Sequence, residues 1–524
     1  MTKWTRVFGR PGTGKTEHLI KMAKQYGLGT YVTYNKAMAE GAKLRFQESG
    51  DFSDEAIKGI GTMHKLAFVH SGFKKEDELK PADLKPFLES MGLDQPGEGL
   101  PDEEGLEGDD LTAKILREDN RARQTMTEPQ NIDDYTADMK IFSQRYRDFK
   151  RGIEKIDFTD VLEVEASHIA MNPYPSEFIY ADEAQDFTPL MWKVLRGWAQ
   201  EASTIFVAGD DRQKLYGMMG VDDTFVQMKV DSEEILPESY RLPRKIYRMS
   251  ERLADMMKST SHETIKCKDE DGTVEETTIQ GFIKYANSHR NNNIYYLART
   301  RFTINTYFGV PGIAETLIEN GIPFRTINPR HASWSPWDES FVDYMTSLIS
   351  FEKGGDVSAT SAAHFVKQIP SEATTDEKVA VKKGKKKQFI AQIKGKEYVT
   401  HNDFTEFFTF TPSMDNLLKT LTPRQIRTIR FYGMKNPPDL DDIRLSVDTI
   451  HASKGREAEI VFLDNGITSR VAESLRSDGS DYEDEIKVWY VGITRASQSL
   501  FVVDNETQEK YRRHKIDLGW AMHD

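Results

Sequence analysis

Cysteine is nearly absent from this chain: Cys267 is the single one in 524 residues. No internal disulfide can form, and no cysteine-based metal spacing exists. Positive charge is in deficit, with 70 Lys and Arg against 84 Asp and Glu, a net charge of −14. That argues against a protein coated in nucleic acid. It leaves room for a motor with a basic channel inside an acidic shell, because phosphate binding follows the local field. Apolar runs of membrane-spanning length are missing, as is a secretory signal pattern. A soluble, cytosolic chain is the expectation, in keeping with 29% charged residues and a mean hydropathy of −0.60. At 60.0 kDa the chain is too long for one ordinary core, and about two to four domains are expected.

Charge is also locally one-sided. "DQPGEGLPDEEGLEGDD", Asp94 to Asp110, has eight acidic residues and no basic one, and reads as a mobile loop. "KVAVKKGKKKQFIAQIKGK", Lys378 to Lys396, has eight lysines and no acidic residue. Alternation in "QFIAQIKGKEYV" predicts a β-hairpin with Gly395 near its turn. No internal repeat is present.

What the sequence does have begins at once. "GRPGTGKT" puts Gly9, four residues, then Gly14, Lys15 and Thr16 between a strand-like "WTRVF" and a helical "EHLIKMAKQY". This is the phosphate-binding-loop spacing. Glycines such as Gly9, Gly12 and Gly14 let the backbone curl so that N–H groups, Thr13 among them, face phosphate oxygens at a helix N-terminus. Lys15 can reach the β- and γ-phosphates, and the Thr16 hydroxyl can hold Mg²⁺. The second half of such a site is an apolar strand ending in acid, and "EFIYADEAQDF" supplies it. Asp182 can hold the Mg²⁺ shell and Glu183 can polarise the attacking water. Asp182 lies 167 positions after Lys15, more than a minimal nucleotide fold needs, so a subdomain is inserted. "TIFVAGDDRQKLYGMMG" reads as another strand and turn, where Gln213 can report the γ-phosphate and Tyr216 can offer a stacking face to a base.

The order "GRPGTGKT", "YVTYNKAMAE", "GTMHKLA", "DFTDVL", "YADEAQD", "VAGDDRQKLYG", "ESYRLP", "TIHASKGREAEIVFL", "VWYVGITRAS" resembles the motif set of superfamily 1 DNA helicases of the UvrD/Rep/PcrA type. The resemblance implies an α/β fold of two tandem RecA-like phosphate-loop domains with parallel sheets, each carrying an inserted accessory subdomain. On this chain the first core would be 1–69 and 156–238, with 70–155 inserted. The second would be 239–330 and 440–524, with 331–439 inserted. It further implies an ATP- and Mg²⁺-dependent 3′→5′ translocase and helicase on single-stranded, partial-duplex or forked DNA, in replication, repair or recombination. The place implied is the cytoplasm of a prokaryotic cell or phage-infected host. Two alternatives stay open: a DNA-stimulated ATPase that translocates or strips proteins without unwinding, and a non-motor nucleotide switch.

Carried over by motif, Lys15 and Thr16 hold phosphate and Mg²⁺, Asp182 holds Mg²⁺, Glu183 is the base and Gln213 senses the γ-phosphate. Arg241 and Arg495 are arginine fingers, Tyr240 stacks on adenine and Glu457 accepts from the ribose. The DNA-binding positions are Tyr34, Asn35, Thr62, His64, Tyr216, Thr449, His451 and Ser453. Several features depart from the pattern, among them Tyr34 standing immediately before Asn35, where the aromatic usually precedes by two. Only eight residues precede Gly9, too few for the adenine-reading Gln motif. Glu17 stands where an Arg often flanks the base. Met218 replaces a base-stacking Trp. Relaxed choice of nucleotide base is therefore expected.

Overall fold

The computed structural model describes residues 2–95, 111–127, 137–258, 260, 264–306, 311–368, 385–405, 423–432, 435–477, 479–505 and 514–522. Most of the acidic stretch 94–110 and the lysines up to Lys383 lie outside the described residues. The chain divides into two units. The first is Met1–Tyr247, Glu251–Glu270 and Asp478–Val491; the second is Arg248–Ser250, Asp271–Ser477 and Gly492–Asp524. Residues 239–247, 251–270 and 478–491, which the sequence reading counts with the second core, fall in the first unit.

The first unit is built on six parallel strands, β1 (Lys3–Phe8), β2 (Thr30–Thr33), β3 (Ile60–Thr62), β4 (Phe178–Ala181), β5 (Thr204–Gly209) and β6 (Ser232–Ile235), in the order β3-β2-β4-β5-β1-β6. The central strands are apolar along their whole length because helices cover both faces of a parallel sheet. Thus "FIYA" and "TIFVAG" are almost wholly buried. Val7, Leu19, Tyr31, Phe46, Tyr180 and Phe206 fill one side. A short pair, β7 (Glu238–Pro243) with β8 (Lys266–Lys268), follows.

Between β3 and β4 the helices Pro81–Ser90, Leu111–Gln124 and Ala137–Gly152 carry their own core of Leu84, Phe87, Leu88, Leu116, Phe142 and Tyr146. Charge ties them to the helix Phe158–His168. Buried Arg123 donates to Asp157 (2.8 Å), Glu163 (2.7 Å) and Asp160, and Lys150 donates to Asp157 and Asp160 (2.6 Å). A buried cation needs such complete pairing, and breaking it by truncation costs on the order of 3–5 kcal/mol.

The second unit has five parallel strands. These are β9 (Thr273–Thr278), β10 (Ile294–Ala298), β13 (Leu445–Thr449), β14 (Ala458–Asp464) and β16 (Ala496–Asp504), ordered β13-β10-β14-β16-β9. Between β10 and β13 a helical insertion buries Trp337, Phe341, Tyr344, Phe389, Val399 and Phe404 in a separate core. It includes one two-stranded ribbon, β11 (Val357–Ser358) with β12 (Tyr398–Val399). Another ribbon pairs β15 (Gly466–Ile467) with β17 (His514–Lys515).

The expected hairpin over "QFIAQIKGKEYV" is not formed. Lys385–Ile393 is a helix. Phe389 and Ile393, four apart, share its buried face, so a pattern that alternates on paper is also a helical stripe. Gly395 adopts φ +88°, which lets the chain turn into β12. The α/β class with two parallel sheets agrees with the sequence reading. Among the described residues no helix is long and apolar enough to cross a membrane.

Candidate nucleotide and nucleic-acid site

β1 delivers the chain to the phosphate loop at its C-terminal end, the edge where open parallel sheets bind ligands. Gly9 is anchored there by its N–H to the Gly209 carbonyl (3.2 Å). Gly12 and Gly14 take φ +74° and +77°. These values curl the loop into the helix Lys15–Tyr26, whose N-cap is Gly14. The Thr13 hydroxyl donates back to the Arg10 carbonyl (2.9 Å) and closes the curl.

Lys15 is buried, with Nζ donating to the Gly9 carbonyl (3.0 Å) and lying 3.9 Å from Glu183. The Thr16 hydroxyl donates to Asp182 Oδ2 (2.7 Å). The Tyr31 hydroxyl, from β2, donates to the same oxygen at 2.5 Å. Burial, then the neighbouring Glu183, raises the pKa of Asp182. Glu183 follows at the end of β4 with φ 53°. A non-glycine residue in that region is uncommon and costs of order 1 kcal/mol or more. The strained turn is held by the Gln185 amide, which donates to Glu183 Oε2 (2.6 Å).

From β5 come Asp210 and Gln213, both buried, with the Gln213 amide donating to Asp210 Oδ2 (2.8 Å). β7 packs on the loop from another side. Tyr240 N–H donates to the Gly12 carbonyl (2.9 Å), and the Ser239 hydroxyl to the Pro11 carbonyl (2.7 Å). The Tyr240 ring stands 71% exposed. Arg241 follows it, half-buried. The structure therefore brings Gly9, Gly12, Thr13, Gly14, Lys15, Thr16, Asp182, Glu183, Gln213, Tyr240 and Arg241 into one unit. Ser239, Tyr31, Gln185 and Arg10 were missed by sequence reasoning. Only Arg10, inside the loop itself, carried a local signal.

The DNA-motif positions of this unit sit at or past the ends of β2, β3 and β5. Asn35 and Thr62 are helix N-caps, accepting from Met38 N (3.0 Å) and Lys65 N (3.2 Å). Tyr34 and Tyr216 are buried and stacked on each other, centroids 4.5 Å apart. His64 is only 3% exposed and stacks on Phe158 at 3.4 Å, and neither ring nitrogen has a hydrogen-bond partner among the described residues. Burial lowers its pKa well below the usual imidazole range. The side chain of Met218 lies outside the described residues.

Glu457, Arg495, Thr449, His451 and Ser453 belong to the second unit. Arg495 is fully buried, with Nη1 donating to the Arg456 carbonyl (3.1 Å). Glu457 is exposed. Thr449, at the end of β13, accepts from Ala452 N (3.3 Å), and the Ser453 hydroxyl donates to the Ile450 carbonyl (2.7 Å). Burial, with Arg299 and Lys454 nearby, pushes the His451 pKa down to about 3.

Comparison with known proteins completes the picture. Residues 1–219 match the AAA domain family. A stretch of 431 residues, 68% of the chain, is 21% identical to a probable DNA helicase II homolog of Mycoplasma pneumoniae and covers 59% of that protein. A 68-residue stretch, 12% of the chain, is 48% identical to a probable DNA helicase of the same organism and covers 13% of it. The chain thus spans less than two thirds of the length of either relative. Residues 241–507, just over half of the chain, match the UvrD-like helicase C-terminal domain, and the chain belongs to the UvrD-like helicases.

Proposed function

We propose that the chain is an ATP- and Mg²⁺-dependent DNA helicase that moves 3′→5′ along single-stranded DNA, in replication, repair or recombination. Its accessory subdomains would be 70–155 and 331–439, inserted into cores 1–69 with 156–238 and 239–330 with 440–524. The observation that carries the reading is the pairing of Thr16 with Asp182 (2.7 Å) beside Lys15 and Glu183 (3.9 Å) at a curled phosphate loop. One hydroxyl and one carboxylate, completed by phosphate oxygens, form a donor set suited to Mg²⁺. Thr16 and Asp182 would hold the ion, which supplies neutralising charge at the β- and γ-phosphates.

The side chains of this chain do the rest. Lys15 exchanges the Gly9 carbonyl for phosphate oxygens. Glu183 accepts the proton of the attacking water, and Gln213 reads the γ-phosphate through its amide. Arg241 and Arg495 neutralise charge that grows on the transferring group. Tyr240 offers its exposed ring to the base, and Glu457 accepts from the ribose. Asn35, Thr62, His64, Thr449, His451 and Ser453 contact the single strand with polar groups suited to phosphate and sugar. A cytoplasmic setting, in a prokaryotic cell or phage-infected host, goes with this reading.

The test is ATP turnover with and without single-stranded DNA, beside strand displacement on 3′- and 5′-tailed duplexes. Turnover indifferent to DNA would overturn the motor reading, and unwinding only from 5′ tails would overturn the polarity. A second reading, translocation and protein stripping without unwinding, is favoured by one observation: Tyr34 and Tyr216 are buried against each other and present little open ring. Streptavidin displacement from single strands with no duplex separation would select it.

A further inference from the structure

Arg10 is the second residue of the phosphate loop, yet its side chain turns inward and is 1% exposed. Its carbonyl shapes the loop by accepting from Thr13 N (3.2 Å) and from the Thr13 hydroxyl (2.9 Å). Its Nη1 donates to Asp210 Oδ1 (2.7 Å) and to Asp211 Oδ1 (2.6 Å). Both carboxylates are themselves buried. The guanidinium lies 4.9 Å from the Phe8 ring centroid, which backs it from the β1 side.

Asp210 is a branch point. Its Oδ2 accepts from the Gln213 amide (2.8 Å). Its N–H donates to Gln185 Oε1 (3.0 Å), and Gln185 Nε2 donates to Glu183 Oε2 (2.6 Å). One continuous chain of bonds therefore runs from the loop to Gln213 and to Glu183. Arg10, Lys15 and the Gln213 amide together overcome burial and keep the Asp210 pKa below its usual value. An ionised carboxylate only accepts. It therefore fixes the Gln213 amide by one Nε2–H, with the nitrogen end on Asp210.

We propose that Arg10 is a positioning residue for ATP hydrolysis: through Asp210 it fixes the orientation of the Gln213 amide and ties it to the state of the phosphate loop. The inference rests on the role of Gln213 given above. Loop residues that touch phosphate act directly, whereas Arg10 acts through a partner. Its loss should therefore spare binding and reduce turnover. A group of this kind is worth on the order of 10- to 100-fold in activity when removed. A single Nη1 serves both carboxylates, so a lysine ammonium can replace part of the contact.

The test is a cycle of Arg10→Met, Gln213→Ala and the double variant, with Arg10→Lys as the conservative control. For each, kcat and KM for ATP are measured with saturating single-stranded DNA, and Kd for a fluorescent ADP analogue is measured separately. Arg10→Met should lower kcat by roughly 10-fold or more with Kd changed less than about threefold, and Arg10→Lys should recover part of it. The double variant should be no worse than Gln213→Ala, because groups acting as a unit are not additive. If Arg10→Met does not fold, Arg10→Lys takes its place in the cycle. Losses that multiply in the double variant, or a kcat near wild type in the Arg10 variant, overturn the inference and leave the Gln213 role standing. A near-normal kcat for Gln213→Ala alone removes that role, and the inference falls with it.

Discussion

Gly12 and Gly14 look alike in the sequence and share a left-handed backbone, yet a methyl group meets different surroundings at each. At Gly14 the nearest atom to a Cβ is Glu17 Oε2 at 3.7 Å, an ordinary contact. Gly14→Ala then costs the left-handed strain alone, roughly 1–2 kcal/mol. At Gly12 the Cβ would lie 2.3 Å from Arg241 Cβ and 3.1 Å from Arg241 N. The neighbour is the root of a side chain on β7, so the strand and loop must part. Parting them strains two bonds, Tyr240 N to Gly12 O (2.9 Å) and Ser239 Oγ to Pro11 O (2.7 Å). Each stranded buried group costs about 1–3 kcal/mol. Gly12→Ala should therefore cost about 3–6 kcal/mol, the strain plus most of one or both bonds. At about 2 °C per kcal/mol for a unit of this size, Tm should fall by about 2–4 °C for Gly14→Ala and about 6–12 °C for Gly12→Ala. Calorimetry on nucleotide-free protein reads this directly, the relevant transition being the one that added ADP raises. Equal losses, or a larger loss for Gly14→Ala, would refute the packing of β7 on the loop.

Glu183→Gln keeps the shape and removes the proposed base, so nucleotide should still bind while kcat falls by about 10²-fold or more; near-normal turnover would remove Glu183 from the chemistry. His64 and His451 are held neutral, whereas unfolded imidazoles take up protons below about pH 6.5. The unfolded state then binds more protons, so stability should drop as pH falls from about 6.5 towards 5, and His64→Leu should flatten part of that slope; a Tm that rises on acidification contradicts the burial. Replacing Lys385, Lys386 and Lys387 by Ala should flatten the salt dependence of forked-DNA binding by about one log–log unit for each phosphate no longer neutralised. Single-strand-stimulated ATPase should survive, and unchanged fork binding would return the segment to a solvated helix face. Asn35→Asp keeps the cap and adds negative charge, so Tm should hold within a degree or two while single-strand affinity falls; unaltered affinity would take Asn35 off the DNA path.

The parts legible in the sequence were those whose chemistry is local. A phosphate loop is one strand, one turn and one helix, and its glycines must fall at fixed places for the backbone to curl. An apolar run ending in Asp182-Glu183 is likewise self-contained, because a central parallel strand is buried on both faces and its acids emerge at the ligand edge. The parts that stayed hidden depend on distant residues. The partners of Arg10, Asp210 and Asp211, lie 200 positions away or more. Tyr31 reaches Asp182 only because β2 lies beside β4, with Tyr31 opposite Tyr180. The hairpin expectation failed for another reason. Six residues of "QFIAQI" satisfy both periods, and the helix wins because Phe389 and Ile393 fit one face of the insertion's core.

The positions proposed to meet nucleic acid in the first unit show why single residues read ambiguously. Asn35 caps the helix Lys36–Glu48 and Thr62 caps the helix Met63–His70. By itself each is an ordinary N-cap, worth about 1 kcal/mol of stability. What distinguishes them is place. β2 and β3 are parallel neighbours, Val32 opposite Gly61 and Thr33 opposite Thr62. Both helices therefore start at the same edge of the sheet. Helix starts carry partial positive charge and unpaired N–H groups, the backbone equivalent of a phosphate receptor. Such a receptor reads no base, which is what a motor moving along arbitrary sequence requires. On the proposed reading the overall charge of −14 is no obstacle, because dipoles fixed at one edge would attract phosphate without any surplus of Lys and Arg. On the proposed reading, capping and contact are two uses of one geometry, and the residue types that suit the first, Asn and Thr, are those expected for the second.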